Sequence, residues 1–180
     1  FYLSLRWVLL TLFPLFFLIL ALTMREHAGP FWLWSNLDPD YTYLFDFLNL
    51  VNQSWPKHVW HPGITLDLLG AIVIKLIHPF ENASIITQLV LKNPELYLGI
   101  IAKVLIVINF VCLLGLGIIG YKVFNDLVPA LILQSAPFLS KLVFKWSLHV
   151  APEPLLLTTM FFLSMTVLLA LKQKIFGKYK

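Results

Sequence analysis

Long apolar runs constrain this chain more than any other feature of its sequence. Four stretches are apolar over roughly the length of a bilayer crossing: residues 7–24, 96–121, 127–144 and 153–171. A helix needs about 20 apolar residues to cross the hydrocarbon core of a bilayer. Only 12% of the 180 residues are charged, whereas a soluble domain is about one quarter charged. The sequence therefore predicts an all-α, polytopic integral membrane protein.

The first run also resembles a signal sequence in position. Its apolar stretch of about 18 residues is longer than a usual signal-peptide core, so we favour a membrane span over a cleaved signal. Pro14 predicts a kink in this helix.

The basic residues flank the apolar runs and predict an orientation. Arg6 precedes the first run, Lys122 follows the second, and a lysine-rich tail follows the last. Lysine and arginine favour the cytoplasmic side of a membrane. If residues 62–78 stay on the surface, all of these cations fall in the cytoplasm and residues 25–95 form a long external loop. We therefore expect four spans, in a bacterial inner membrane or the endoplasmic reticulum. The sequence shows no basic, solvent-exposed face, so we expect no nucleic-acid partner.

The external loop carries seven of the nine acidic residues and two predicted interfacial helices. The first, residues 39–52, places apolar side chains at helical spacing on one face: Tyr41, Leu44, Phe45, Leu48 and Val51. The second, residues 62–78, is apolar but contains Asp67 and Lys75. Helices of this kind lie in the plane of the membrane interface.

Two carboxylates at the start of the first interfacial helix are the candidate catalytic residues. Asp38 precedes Pro39 and suits a helix N-cap, which needs no further role. Asp40 falls in the first turn, where the helix dipole also favours an acid. Beside the membrane, Asp40 could accept a proton from an acceptor hydroxyl, or Asp38 and Asp40 could help to hold a divalent cation such as Mg²⁺ or Mn²⁺.

Several cationic groups are candidates for binding substrate or phosphate. His61 opens the second interfacial helix, and without an HxxxH pattern or cysteine partner it suits phosphate or sugar better than metal. Lys103 stands one to two turns inside the second span, where it must snorkel, pair or bind a lipid phosphate. The remaining candidates lie before and at the start of the last span: Lys141, Lys145, His149 and Glu153. A solvated histidine, a snorkelling lysine and a dipole-complementing glutamate are the simpler alternatives.

The order of these motifs resembles the GT-C membrane glycosyltransferases, in particular protein O-mannosyltransferases and lipid A aminoarabinose transferases. Those enzymes carry an Asp-Glu pair where this chain has Asp40-Tyr41, and the mannosyltransferases carry His-Pro-Pro where it has His61-Pro62-Gly63. A cation near the start of the second span corresponds to Lys103, and an acid before proline at the fourth corresponds to Glu153. The resemblance covers the whole chain in order and spacing. The chain resembles the N-terminal part of such a protein.

The resemblance implies transfer of a sugar from a polyprenyl-phosphate donor to an acceptor hydroxyl on the non-cytoplasmic face. Asp40 would be the general base, and the cations would stabilise the leaving phosphate. A transporter or flippase for an anionic lipid, or a non-catalytic membrane subunit with a similar fold, remain the alternatives. The sugar and the acceptor, whether protein, lipid or glycan, are open.

Overall fold

The architecture is that of a computed structural model, which describes residues 2–33, 40–58 and 63–176. Most of these residues are helical, and no strand occurs among them. The elements follow one another as α1 (Tyr2–His27), a 3₁₀ helix (Phe31–Leu33), α2 (Asp40–Val51), α3 (Ile64–Ile77), α4 (Ala83–Lys92), α5 (Pro94–Phe124), α6 (Leu127–Ser135), a 3₁₀ helix (Ala136–Leu139), α7 (Lys141–Trp146) and α8 (Glu153–Phe176). The all-helical prediction is confirmed over this part of the chain.

Three of the described helical stretches are long and apolar enough to cross a membrane. They are Leu5–His27, Pro94–Phe124 and Glu153–Gln173. Large apolar side chains on their outer faces are exposed, which suits contact with lipid rather than with water. These features support a membrane-embedded protein.

The predicted span at residues 127–144 is not one continuous helix. Helix α6 ends at Ser135, Pro137 lies in the 3₁₀ helix that follows, and α7 begins only after Ser140. A proline removes a backbone donor and clashes with the preceding turn, so the α-helical ladder stops there. The Ser140 hydroxyl then accepts a hydrogen bond from the backbone nitrogen of Val143 and caps α7.

Helix α1 runs antiparallel to the long helix α5. At one end the Arg6 guanidinium donates to the Tyr121 hydroxyl at 2.7 Å. At the other end Lys103 Nζ lies 3.9 Å from Glu26 Oε1. The start of α1 therefore lies beside the end of α5 and the end of α1 beside the start of α5, which makes the two helices antiparallel.

Helix α8 runs parallel to α5. Near the start of α8, Asn109 Nδ2 donates to the Pro154 carbonyl at 3.0 Å, and the Thr158 hydroxyl donates to Asn109 Oδ1 at 3.0 Å. Near its end, Lys172 Nζ donates to the Lys122 carbonyl at 2.7 Å. Asn109 is fully buried, and an amide between apolar helices must be paired in this way because hydrocarbon offers no partner.

The segment from α6 to α7 returns along α1. Gln134 Nε2 donates to the carbonyl oxygens of Leu10, at 2.9 Å, and Leu113, at 3.2 Å. Ten residues later, the Phe144 ring packs edge-on against Phe17 with centroids 5.7 Å apart. The chain therefore travels from the Arg6 end of α1 toward its opposite end before α8 begins.

The helices of residues 40–92 cover the other end of α5. Helices α2 and α3 lie where two interfacial helices were predicted at 39–52 and 62–78, and α4 was not predicted. Helix α2 packs against both α3 and α5, so its buried face differs from the predicted one, and Phe45 is 52% exposed. Gly70 lets α3 approach α2, because a Cβ there would lie 2.5 Å from the Phe47 ring.

Candidate functional site

The carboxylate of Asp40 is buried at the start of α2 and is bound by the segment that joins α7 to α8. Its Oδ1 accepts a hydrogen bond from the Val150 backbone nitrogen at 2.6 Å. Its Oδ2 lies 3.3 Å from His149 Nδ1. Asp40 is 2% exposed and His149 is 0% exposed. An ionised carboxylate offers only acceptors, so with Asp40 ionised the His149 Nδ1 carries the proton.

A second carboxylate, Glu95, lies in the first turn of α5 and organises the other side of the site. Both of its oxygens accept from the Phe31 backbone nitrogen, at 3.1 and 2.9 Å. The Tyr41 hydroxyl donates to Glu95 Oε1 at 2.6 Å. Burial, this hydrogen bond and the Glu95 charge together raise the pKa of Tyr41 to about 12. Tyr41 is therefore a hydrogen-bond donor throughout the physiological range.

Arg25 supplies a positive charge that acts on both of these acids. It is 6% exposed, and its guanidinium attracts both Asp40 and Glu95. The guanidinium lies over the Phe31 ring, 3.9 Å from the centroid, and donates to the Gly29 carbonyl. Its Nη1 has no hydrogen-bond partner among the described residues. The cation–π contact and the two carboxylates offset the cost of burying this charge.

These groups form the Arg25 cluster, which we define as Arg25, Asp40, Tyr41, Glu95 and His149. The cluster joins the C-terminal end of α1, the N-terminal ends of α2 and α5, and the connection before α8. It lies at one end of the long helices, opposite Arg6, Lys122 and Lys172. Chemically, it offers a buried carboxylate bound to an imidazole, next to an arginine with an unused donor.

A separate pair of acidic residues consists of Asp46 in α2 and Asp67 in α3. Asp46 accepts from the backbone nitrogens of Lys57, at 2.8 Å, and His58, at 3.3 Å, and so fixes the chain after α2. Asp67, in the first turn of α3, is 3% exposed and its Oδ1 has no partner among the described residues. Burial, then the Asp46 charge, raise the pKa of Asp67 to about 6, against a smaller lowering by His58.

The structure brings together only some of the residues predicted for the site. Asp40 and His149 are in contact, although 109 residues separate them in the sequence. Asp38 and His61 lie outside the described residues. Lys103 pairs with Glu26 at 3.9 Å, and its side chain is 52% exposed.

The two lysines before α8 lie on the surface of the protein. Lys141 and Lys145 are exposed on α7. Glu153 begins α8 and lines a separate apolar groove, described below.

Sequence reasoning missed Arg25, Glu95 and the hydroxyl of Tyr41. Arg25 follows the first apolar run, where a basic residue indicates the end of a span and not a buried charge. Glu95 follows Pro94, which indicates an ordinary helix start. Tyr41 was counted as an apolar residue of the interfacial helix. No local pattern reveals that these three residues meet, since the contacts join segments 54 to 70 residues apart.

Around Asp40 the described residues supply hydrogen-bond donors and a positive charge; Asp38, the other predicted cation ligand, lies outside the described residues. Both Asp40 oxygens already face the donors of Val150 and His149, and Arg25 supplies the neighbouring positive charge. Within the described ranges, no three metal-ligating side chains come together. Hard cations such as Mg²⁺ require several oxygen ligands with free lone pairs.

Comparison with known proteins yields no relative. No family model, no curated protein and no solved structure matches the chain.

Proposed function

We propose that this chain forms the catalytic membrane unit of a GT-C-type glycosyltransferase. It would move a sugar from a polyprenyl-phosphate donor to an acceptor hydroxyl on the non-cytoplasmic side of the membrane. The observation that carries the proposal is the buried Asp40 carboxylate, bound by Val150 and His149 beside Arg25. A buried acid that contacts a histidine close to a buried arginine marks a candidate functional site.

The arrangement of helices supports four crossings. Helix α6 and its 3₁₀ extension are about 22 Å long at 1.5 and 2.0 Å per residue, and α7 adds about 9 Å. The sum of about 30 Å equals the hydrocarbon thickness of a bilayer. The broken α6–α7 segment would thus be the third crossing. Arg6, Lys122 and Lys172 then share the cytoplasmic end.

With this orientation the Arg25 cluster lies at the non-cytoplasmic end, at the boundary where a lipid-linked sugar is presented. Helices α2 and α3 would rest in the interface beside it. Exposed apolar side chains on α3 at every fourth position suit contact with lipid: Ile64, Leu68, Ile72 and Leu76.

Asp40 is proposed as the general base. The acceptor oxygen attacks the anomeric carbon as its proton passes to Asp40 Oδ2, and the bond from that carbon to the phosphate oxygen breaks. Oδ1 stays fixed by the short bond to Val150, whereas Oδ2, 3.3 Å from His149, is the less firmly held oxygen. Cations would stabilise the negative charge on the leaving phosphate, and Arg25, whose Nη1 has no hydrogen-bond partner among the described residues, is a candidate for this role.

Sugar transfer by membranes that contain the protein tests the proposal. Wild type and Asp40→Asn would be compared with a panel of labelled polyprenyl-phosphate sugars. Asparagine keeps an acceptor for Val150 but removes the base, so turnover should fall by about 10²–10⁴ with donor binding unchanged. Glu81→Gln, at an exposed acid of the same loop, should leave turnover unchanged.

The same experiment distinguishes a transporter from an enzyme. A transporter or a non-catalytic subunit needs no base, so equal signals from wild type and Asp40→Asn would refute the enzymatic role. Absence of transfer by wild type with every donor would refute the proposed donor class. Thermal unfolding of both variants would show that folding is intact.

A further inference from the structure

An apolar groove between α7 and α8 contains one acidic side chain. Its volume is about 330 Å³, and it is lined by apolar residues of both helices and by Glu153. The volume lies in the range of small-ligand sites. The groove follows α8 from Glu153 to Met160, seven residues or about 10 Å of helix. Its length and lining suit a hydrocarbon chain.

Glu153 gives this groove a chemical preference. Its Oε2 is buried and has no hydrogen-bond partner among the described residues. A buried carboxylate oxygen without a partner is costly, and the other lining side chains are aliphatic, aromatic or thioether groups. None of the other lining side chains bonds to this oxygen, so a donor carried by an occupant would satisfy it. The dipole of α8 explains an acid in its first turn, but it does not supply a donor to that oxygen.

We propose that the groove binds a membrane lipid whose headgroup carries a primary ammonium, with the ammonium on Glu153 and an acyl chain along Leu156 and Met160. An ammonium donates charge-assisted hydrogen bonds to a carboxylate, which are about twice as strong as neutral ones. A quaternary ammonium has the same charge but no N–H. A phosphate alone would be repelled by Glu153. In an aminophospholipid the phosphate has a cation next to the groove, since the exposed Lys141 precedes the lining residue Leu142 on α7.

The groove adjoins the Arg25 cluster through an aromatic contact. Trp146 lines the groove, and its ring centroid lies 5.5 Å from that of His149, which binds Asp40. The lipid site shares no acidic residue with that cluster, since Glu153 lies outside it. Trp146 also provides a fluorescent reporter at the wall of the groove.

Quenching of Trp146 by brominated lipids tests the site. The full protein is reconstituted in phosphatidylcholine with increasing fractions of brominated phosphatidylethanolamine or brominated phosphatidylcholine. The Trp146 signal is the difference between wild type and Trp146→Phe, since the chain has six tryptophans. We expect half-quenching at a tenfold lower fraction of the ethanolamine lipid, equivalent to about 1.4 kcal/mol.

Two variants connect the preference to Glu153. Glu153→Gln should remove the preference while leaving the general quenching, and Glu81→Gln should keep it. Equal quenching of wild type by both lipids would refute the site, because an unselective groove merely holds bulk lipid. A preference that survives in Glu153→Gln would refute the role of the carboxylate. If that variant unfolds, the wild-type comparison between the two lipids still decides.

Discussion

Asp40 Oδ1 lies 2.6 Å from the backbone nitrogen of Val150, a contact across 110 residues. The bond joins the start of α2 to the connection before α8, so the helices of the loop and those of membrane length share one buried junction. Because Asp40 is only 2% exposed, the hydrogen bond from Val150 and not bulk water holds its Oδ1 in place. The position of this carboxylate therefore depends on the packing of α7 and α8 as well as on α2.

Arg25→Met is expected to destabilise the protein strongly. The substitution keeps an apolar body of similar length over Phe31 but leaves Asp40 and Glu95 without their buried counter-charge. Removing a buried charge that balances nearby acids is expected to cost a few kcal/mol, at most the ~3–5 kcal/mol of a contacting buried ion pair broken on one side. Thermal unfolding in detergent would measure the loss.

Arg6→Met is the matched control for this change. Arg6 is an exposed arginine at the other end of α1, where it bonds to the Tyr121 hydroxyl. Its loss should cost about 1 kcal/mol or less. Equal destabilisation by the two substitutions would contradict a charge-balancing role for Arg25. Glu95→Gln in the Arg25→Met background should restore part of the stability, because it removes one of the unpaired acids.

The long helices were predictable because lipid imposes a simple rule on the sequence. A crossing requires an apolar run, and the runs at residues 7–24, 96–121 and 153–171 each fall within a helix of membrane length. The run at 127–144 follows the same rule in composition, but Pro137 and Ser140 divide it. An apolar composition predicts that a segment lies in lipid, but it does not predict whether the backbone hydrogen bonds of the helix continue through the whole segment.

The candidate site was predictable only in part, for a different physical reason. Asp40 was predicted as a site residue because a carboxylate next to the membrane is energetically unfavourable and therefore suggests a function. Its contacts with Val150 and His149 depend on how α8 packs along α5, which no local pattern encodes. Arg25 was interpreted as a charge that flanks a membrane span. An arginine after an apolar run looks the same in sequence whether it is buried among acids or exposed to lipid headgroups.

Gly70→Ala is expected to disturb the packing of α3 on α2. The new methyl group would lie 2.5–2.6 Å from three ring atoms of Phe47, which is itself fully buried and cannot move freely. Overpacking of this kind costs about 1–3 kcal/mol.

Gly99→Ala is the control, because its methyl group would meet nothing within 4 Å. That substitution should be neutral or stabilising by up to about 1 kcal/mol. Equal thermal unfolding temperatures for the two variants would contradict this packing.

Cysteine labelling would count the crossings. In a Cys112→Ser background, single cysteines at three exposed positions would be exposed to a membrane-impermeant maleimide in sealed vesicles: Trp55→Cys, Phe124→Cys and Gln173→Cys. Four crossings place positions 124 and 173 on one side and position 55 on the other. If the α6–α7 segment does not cross, positions 124 and 173 fall on opposite sides. Labelling of 173 together with 55 would therefore refute the four-span arrangement.

Asp67 is expected to make the protein less stable as the pH rises from about 4 to about 6. Its folded pKa of about 6 lies above the ordinary value of 3.8, because burial and then the Asp46 charge disfavour the ionised form. The folded protein therefore holds this proton more tightly than the unfolded chain. The resulting stability is fully present below about pH 4 and is lost as the pH rises through 6. The difference between the folded and the ordinary pKa corresponds to at most about 3 kcal/mol of stability.

Asp67→Asn should remove this dependence of stability on pH and raise stability at neutral pH, since the asparagine side chain is neutral at every pH. Glu81→Gln, at an exposed acid, should leave the slope in place. Chemical denaturation at a series of pH values would measure both, and an unchanged slope in Asp67→Asn would assign the effect to another group.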